Sequence, residues 1–489
     1  MSSLDEIRNI RIGKLELLKK EGIDPFPAKS YRELSLKEAI DSFAELEEKK
    51  ETKWISGRIM SLRGQGAIVF VTLFDGTASF QGLLKKDQME EKNFSMFGAT
   101  VDIGDFIELN GTFFVTKRGE KTIEAKEWRM LSKSLLPLPE KWHGLQDIEE
   151  RFRKRYLDIL MDPEQRDLLE KKAKFWETAR NFMKERGFME VETPTLEVTT
   201  GGAEATPFKT YNEDFKLALY LRISIGELWQ KRLMAAGFPK TFEIGRAYRN
   251  EGSDQNHLQE FTNLEFYWAY ASYEDGMALT EELYKKIAVD VFGKTDFETR
   301  GFKFDLGGKW ERVDYRDAIK KETGIDVLDT TYEEVEKKLD ALEVVYDGDT
   351  MERLVDTLWK YCRKKIAGPV FLTGHPKLVS PLSKSMQSNS ELTERFQIII
   401  AGSEVGNGFS ELNDPVDQAK RFEVQQELIK AGDKEAMMPD WEFVEMLEYG
   451  MPPTCGFGFG EMLFAFLADK PIREVQFFPL MRPRGLEDK

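Results

Sequence analysis

An arginine and several acidic side chains stand at alternating positions in two neighbouring segments of the chain. Arg249 and Glu251 are two residues apart, so a strand there is predicted to point both side chains to one face. Glu265 and Tyr267 have the same spacing in the next predicted strand. An arginine beside carboxylates can hold a phosphate and an amine side by side, and the alternative is an ion pair within an ordinary core.

Two later segments also depart from the pattern of a plain core strand. The run 404–414 carries Glu404, Asn407, Phe409 and Glu411 with few aliphatic residues between them. The run 452–460 alternates glycine with phenylalanine and leads into a predicted helix. Glycine lets a flat ligand approach the backbone, and the alternative is tight packing of strands.

Helical and strand-like patterns divide the chain into parts that would position these residues. Long helices alternate with apolar strands from about residue 160 onward, which indicates one large α+β domain. A helix over 165–186 is predicted to lead into a strand over 188–194. The Glu- and Lys-rich stretch 330–366 is predicted to form helices at the periphery of this domain.

The stretch 54–131 has a period of two and predicts a small barrel of about five strands, with an OB-fold as the leading candidate. Turns are predicted at Asp75-Gly76 and at Asn110-Gly111. Acidic and basic residues nearly balance here, which suits docking of single-stranded nucleic acid. Phe70 and Phe80 would either stack on bases or belong to the barrel core.

Composition limits the class of protein. The 489 residues suit two or three domains. The 71 Lys plus Arg against 87 Asp plus Glu give a net charge of −16, which argues against non-specific, charge-driven binding of nucleic acid but not against a local site. The chain shows no apolar run of the roughly 18 residues that span a membrane, and its charged start is unlike a signal peptide. Two cysteines and three histidines exclude a disulfide framework and zinc spacing, so a cytoplasmic location is expected.

Together these segments resemble a class II lysyl-tRNA synthetase nearly end to end. Residues 188–194 with the preceding helix are similar to motif 1, residues 248–261 to motif 2 and residues 456–463 to motif 3. Further family blocks stand at 143–147, 155–158, 201–208, 221–224, 380–384 and 408–414. The resemblance implies an α+β fold, with an N-terminal OB-fold barrel followed by a class II catalytic domain built on an antiparallel sheet with flanking helices.

The resemblance also implies domain boundaries and partners. An N-terminal helical extension would span 1–53, the anticodon-binding OB-fold 54–135, a linker 136–160 and the catalytic domain 161–489. The substrates would be L-lysine, ATP and tRNA(Lys), with Mg²⁺ as the cofactor and neither a membrane nor DNA as a partner. The apolar face of the helix over 172–186, together with the strand that ends at Pro194, resembles the family's homodimer element. The alternative is that this face packs within its own chain. That face comprises Phe175, Ala179, Phe182 and Met183.

Site residues follow from matching the motifs position by position. For ATP, Arg249 would clamp the α-phosphate as the catalytic residue, Glu251 would accept from the adenine amine and Phe261 would stack on the ring. His257 and Gly458 would also contact ATP, while Glu404 would bind Mg²⁺ together with Gln397. The positions that match the lysine pocket are Glu227, Glu265, Tyr267, Asn407, Phe409 and Glu411. In the barrel, Phe70, Gln81 and Glu127 match positions that read the anticodon, which leaves Phe80 in the core.

Four positions depart from the family pattern. Motif 3 begins its helix with an arginine for the γ-phosphate, whereas this chain has Met462. Gln255 and Asn256 replace an arginine in the motif 2 loop, and Gln397 replaces a second Mg²⁺-binding glutamate. A methionine cannot neutralise a phosphate, so slower catalysis is expected.

Several functions therefore stay open at this point. The first is an active lysine–tRNA ligase, weakened by Met462, and the second is an inactivated or non-catalytic paralogue that binds lysine or tRNA without forming adenylate. A relative that lysylates a protein would lack the barrel. An aspartate or asparagine enzyme is disfavoured, because Glu227, Glu265 and Glu411 would repel a carboxylate side chain.

Overall fold

The computed structural model describes residues 3–64, 66–139, 145–202, 205–252, 254, 256–346, 350–430 and 436–484. The chain forms two compact units, Met1–Met161 and Asp162–Lys489. Gln255, and residues 143, 144, 203 and 204 of the family blocks, lie outside the described residues.

The first unit contains helices around a small barrel. Its elements are α1 (Leu4–Lys20), α2 (Leu36–Asp41), α3 (Phe43–Lys49), β1 (Lys53–Arg63), β2 (Ile68–Phe74), β3 (Ser79–Lys85), α4 (Glu91–Thr100), β4 (Phe106–Val115), β5 (Lys121–Ser132), α5 (Ile148–Arg153) and α6 (Arg155–Met161). Ser3 caps α1 with a reciprocal Glu6 contact, which satisfies amides at the helix start.

Within the described residues, five strands close into a barrel in the order β1-β2-β3-β5-β4, which confirms the predicted OB-fold. Ile55, Leu73 and Phe80 belong to its core, so Phe80 is a core residue. The turn predicted at Asn110-Gly111 is wrong. The two residues lie inside β4 at a shift of register against β5, where a Cβ on Gly111 would lie 2.0 Å from the Glu124 carbonyl oxygen.

The second unit contains a larger sheet with helices. Its elements up to the middle are α7 (Pro163–Glu185), β6 (Met189–Glu190), β7 (Leu196–Glu197), β8 (Lys209–Asn212), β9 (Leu217–Leu221), α8 (Glu227–Ala235), β10 (Lys240–Tyr248), β11 (Glu260–Ala269), α9 (Tyr273–Ile287), a π-helical turn (Ala288–Phe292), β12 (Asp296–Thr299) and β13 (Phe302–Asp305). The remaining elements are β14 (Glu311–Asp314), α10 (Tyr315–Thr323), α11 (Tyr332–Ala341), α12 (Met351–Arg363), β15 (Val370–Pro376), a 3₁₀ turn (Lys377–Val379), β16 (Leu392–Ile400), β17 (Ser403–Ser410), α13 (Pro415–Lys430), α14 (Trp441–Tyr449), β18 (Thr454–Gly460) and α15 (Met462–Leu467).

Eight described strands form one sheet in the order β14-β15-β16-β17-β18-β11-β10-β6. Its interior pairs are antiparallel, and only the outermost pairs β14–β15 and β10–β6 are parallel. The predicted antiparallel sheet with flanking helices is therefore confirmed, although the strand expected over 188–194 is paired only at Met189–Glu190.

Helix α7 packs its apolar face into the core of its own unit. Phe175, Ala179, Phe182 and Met183 are all 0% exposed and share a cluster with Phe266 and other sheet residues. Packing within the chain is therefore the interpretation that the structure confirms for this face, and these four side chains are not available for a dimer contact.

Candidate active site

Some of the predicted polar residues of the second unit lie on one face of the large sheet. Residues directly opposite one another on paired strands share a face. The register therefore forms two adjacent rows, the first Gln397–Asn407–Gly458–Glu265 and the second Arg395–Phe409–Gly456–Tyr267.

The alternation of glycine and phenylalanine in β18 follows from its two faces. Phe457 and Phe459 are buried in the core cluster, whereas Gly456 and Gly458 belong to the two rows on the opposite face of the strand. A Cβ on Gly458 would lie 2.9 Å from Cγ of Glu265. Glycine thus leaves room for the carboxylates beside it on the sheet.

These rows form one wall of a cavity of about 530 Å³. A cavity of this size suits a nucleotide-sized or amino-acid-sized ligand. All predicted ATP, lysine, metal and motif 3 positions line it: Glu227, Arg249, Glu251, His257, Phe261, Glu265, Tyr267, Gln397, Glu404, Asn407, Phe409, Glu411, Gly458 and Met462.

Arg249 and Glu251 lie just beyond the end of β10, so the prediction that they share a strand face is wrong. The Arg249 amide still donates to the Gln259 carbonyl at 2.8 Å, which holds the chain beside β11. Its guanidinium lies 5.2 Å from the centre of the Phe261 ring. Burial lowers the pKa of Arg249 while Glu251, Glu265 and Glu404 raise it, and an arginine remains protonated under such opposing influences.

The loop between β10 and β11 is organised around Asp254. Its carboxylate lies 2.8 Å from Nδ1 of His257, and both side chains are exposed. Asn256, one of the predicted departures, accepts a hydrogen bond from Arg300. The loop therefore contains a histidine at the cavity margin and a neutral amide at position 256.

The acidic end of the cavity contains Glu227, Glu265 and Glu411. The Ile225 amide donates to Glu265 at 2.8 Å and the Tyr267 hydroxyl donates to it at 3.3 Å. Burial, with repulsion from Glu227, raises the pKa of Glu265 to about 7. Burial raises the pKa of Glu411 to about 8, against the attraction of Lys231.

Lys231 was missed by the sequence reasoning, although its spacing of four residues from Glu227 in a helix could have indicated the contact. Its ammonium lies between Glu227 and Glu411.

The side of the cavity formed by α12 was also missed, because that helix was predicted to be peripheral. Trp359 and Arg363 of α12 line the cavity, and Nη1 of Arg363 lies 3.9 Å from Oε2 of Glu404.

The donor set at Glu404 suits Mg²⁺. The Gln397 amide nitrogen donates to Glu404 Oε2 at 2.8 Å, which leaves a carboxylate oxygen and an amide oxygen as hard donors. Mg²⁺ in nucleotide sites is commonly held by one or two carboxylates together with substrate phosphates. Glu404 and Gln397 therefore fit one such ion, with one negative charge fewer than a pair of glutamates.

Met462 is the first residue of α15 and packs partly against the core while it lines the cavity. The preceding Glu461 is buried and forms an ion pair of 2.5 Å with Lys172 of α7. Since Glu461 and Leu463 flank the methionine, the start of α15 presents no positive side chain to the cavity.

The predicted anticodon residues lie in the first unit, on the outer face of the barrel. Phe70 is opposite Leu83, and Gln81 is opposite Thr72 and Thr122, whose hydroxyl accepts from the Gln81 amide at 2.9 Å. Phe70 is half-buried and Glu127 of β5 is exposed. These side chains alternate with inward-facing core residues, so they are available to a ligand on this face.

Comparison with known proteins covers nearly the whole chain. A family model described as tRNA synthetases class II (D, K and N) matches residues 147–482, and one described as OB-fold nucleic acid binding domain matches residues 53–131. A lysine–tRNA ligase of Thermotoga sp. (strain RQ2) is 41% identical over 492 residues, covering 99% of this chain and 98% of that protein.

Two further relatives carry the same name. The protein of Roseiflexus sp. (strain RS-1) is 42% identical over 487 residues, covering 98% of this chain and 99% of its own. The protein of Halalkalibacterium halodurans is 42% identical over 489 residues, covering 98% of this chain and 97% of its own.

Proposed function

Because the chain belongs to the class II lysyl-tRNA synthetase family, we propose that it attaches L-lysine to tRNA(Lys) by way of a lysyl-adenylate, using ATP. The observation that carries this proposal is the single cavity in which Arg249 and Phe261 lie together with Glu227, Glu265 and Glu411. The cationic amino acid and ATP would be held side by side there, as formation of an adenylate requires.

In the first step, the carboxylate of lysine attacks the α-phosphate of ATP and pyrophosphate leaves. Arg249 would stabilise the negative charge that builds on that phosphate, because its half-buried guanidinium lines the cavity and is charged and planar. Phe261 would stack on the adenine and Glu251 would accept from the adenine amine. His257 and the backbone at Gly458 would flank the nucleotide.

The amino acid would be selected by charge and shape. Its ε-ammonium would meet Glu411 and Tyr267, its aliphatic stem would lie along Phe409, and its α-ammonium would meet Glu227. Asn407 and Glu265 lie beside these groups on the same sheet face. Three carboxylates at this end would repel aspartate.

Glu404 and the amide of Gln397 would hold Mg²⁺, which shields and orients the triphosphate when it is bound. In the second step, the terminal ribose hydroxyl of the tRNA would attack the lysyl carbonyl of the adenylate, which forms the lysyl ester and releases AMP and a proton. Phe70 would stack one anticodon base, while Gln81 and Glu127 would bond to base edges.

Met462 is the reason to expect a slow enzyme, and it is also the residue on which the second candidate function depends. Without a positive charge at the start of α15, the γ-phosphate loses a charge-assisted contact. If that loss is complete, the chain is a paralogue that binds lysine or tRNA without forming adenylate. We favour the active enzyme because Arg249 and the acidic pocket are both present in the cavity.

The deciding experiment is lysine-dependent exchange of pyrophosphate into ATP, run against ornithine and aspartate. Exchange with lysine above the aspartate background supports the ligase. Exchange at background, with lysine or tRNA binding intact, leaves the binding paralogue, and absence of both exchange and binding contradicts both functions.

We also propose a homodimer and a cytoplasmic location. Since the α7 face is buried, the dimer would use exposed apolar residues near the motif 1 strand, such as Met189, Leu196 and Val198. Analytical ultracentrifugation of the wild type and of Leu196→Asp tests the dimer.

Among the described residues, no helix is long and apolar enough to cross a membrane. Cell fractionation tests the location.

A further inference from the structure

Lys231 links two carboxylates of the acidic pocket from behind. It lies one turn after Glu227 on α8, and its Nζ is 2.9 Å from Glu227 Oε1 and 2.7 Å from Glu411 Oε2. Its side chain is 1% exposed and does not line the cavity. The ammonium is therefore a fixed part of the pocket and not an occupant of the ligand space.

Each of the two carboxylates keeps its other oxygen on the cavity side. A Cβ on Gly202 would lie 2.7 Å from Glu227 Oε2, and a Cβ on Gly456 would lie 2.1 Å from Glu411 Oε1. Both glycines line the cavity. Glu411 Oε1 is buried and has no hydrogen-bond partner within the described part of the chain. A buried carboxylate oxygen without a hydrogen-bond partner favours the binding of a cationic ligand.

Aromatic rings enclose the ammonium. Its Nζ lies 5.3 Å from the centre of the Phe409 ring, 5.7 Å from that of Phe443 and 6.0 Å from that of Tyr267. The rings exclude water and attract the cation weakly. The two ion pairs consequently act in a medium where charges interact strongly.

The surrounding ionisable groups are mostly acidic. Glu227 faces Lys231 from α8 and Glu411 from the end of β17, while Glu265 and Tyr267 of β11 and Cys455 of β18 lie nearby. Burial lowers the pKa of Lys231, but the attraction of Glu227 and Glu411 raises it by more than burial lowers it. The net shift of this pKa is upward, and the ammonium stays protonated. Without it, carboxylates this close would repel one another and take up protons.

We infer that Lys231 is a positioning residue for amino-acid recognition: it orients Glu227 and Glu411 and offsets their repulsion, so that each carboxyl can ionise and present one oxygen when the cationic ligand binds. The inference rests on the proposed function, since the ligand is taken to be L-lysine. Glu227 would meet the α-ammonium of the ligand and Glu411 its ε-ammonium. Lys231 would therefore affect the binding of both ends of the ligand, although it does not contact the ligand itself.

The test is calorimetric titration of the full chain with L-lysine between pH 6.5 and 8.5, comparing wild type with Lys231→Met. We expect the variant to bind about tenfold or more weakly at pH 7, and the deficit to shrink as pH rises, because its carboxylates must first lose protons. Its affinity for ATP should be unchanged. Lys133→Met is the matched control, because Lys133 is also buried between two carboxylates, Asp102 and Asp105, in the first unit.

A deficit that is equal at every pH, or no deficit, overturns the inference, because a merely structural role would not change the pH profile. If Lys231→Met does not fold, Lys231→Gln and the protons released by wild type on binding L-lysine, measured in buffers of different ionisation enthalpy, take its place. Release from wild type at pH 7 that equals or exceeds release from Lys231→Gln contradicts the offset by Lys231, because the variant should hold more protons on its carboxylates before it binds. Wild type that fails to bind L-lysine refutes the proposed function instead.

Discussion

Gly456 and Glu411 are in closer contact than any larger residue at 456 would allow, since a Cβ there would lie 2.1 Å from Glu411 Oε1. The same Cβ would lie 2.7 Å from the Tyr267 ring. The glycine therefore sets the position of the carboxylate that is proposed to bind the ε-ammonium of the ligand.

Gly456→Ala should weaken binding of L-lysine at least about tenfold, because the carboxylate must move away from a charge-assisted contact. ATP affinity should change little. Calorimetry with each ligand measures both effects. Gly98→Ala is the control, because a Cβ at Gly98 in α4 meets nothing within 4 Å. Unchanged lysine affinity in Gly456→Ala would remove Glu411 from the proposed pocket.

Met462→Arg should raise the rate of lysine-dependent pyrophosphate exchange at least about tenfold, because it restores a charge-assisted contact to the γ-phosphate. Met462→Leu is the control for packing, since Met462 lies partly against the core. If both variants exchange at the wild-type rate, the absence of an arginine does not limit catalysis.

L-Lysine should raise the melting temperature more at pH 8 than at pH 6. The folded pKa values of Glu265 and Glu411, about 7 and about 8, lie above the ordinary value of 4.5. The folded state therefore binds more protons than the unfolded state, and unliganded stability falls as pH rises from about 4.5 to about 8. A bound cation favours the ionised carboxylates and offsets that loss.

Differential scanning fluorimetry with and without L-lysine measures this difference. Glu411→Gln should reduce it, because one of the two titrating groups is removed. Glu197→Gln is the control. Burial also raises the pKa of Glu197 to about 7, but this carboxylate accepts a hydrogen bond from Trp229 and does not line the cavity. A lysine effect that is the same at pH 6 and pH 8 would argue against ionisation of the pocket.

Phe70→Ala should raise KM for tRNA(Lys) in the complete aminoacylation reaction, because loss of a stacked base costs about 1–3 kcal/mol. Pyrophosphate exchange, which needs no tRNA, should stay at the wild-type rate. Val115→Ala is the control, because Val115 is an exposed apolar residue at the end of β4. An equal KM in wild type and Phe70→Ala would leave Phe70 without a role in base stacking.

The sequence by itself determined the kind of fold and most of the cavity wall. Period-two patterns identified the barrel strands and the pair β10 and β11, since alternation along a strand depends only on local geometry. The same alternation separated Gly456 and Gly458 from Phe457 and Phe459. Motif order identified the family, which the comparisons confirm.

Only the tertiary structure decided what lies behind and opposite that wall. Lys231 meets Glu411, and Arg363 approaches Glu404, across large separations along the chain. The apolar face of α7 proved to be core, because an amphipathic pattern shows that a face is buried but not against which surface. Such pairings depend on long-range packing, which strand and helix periods do not encode.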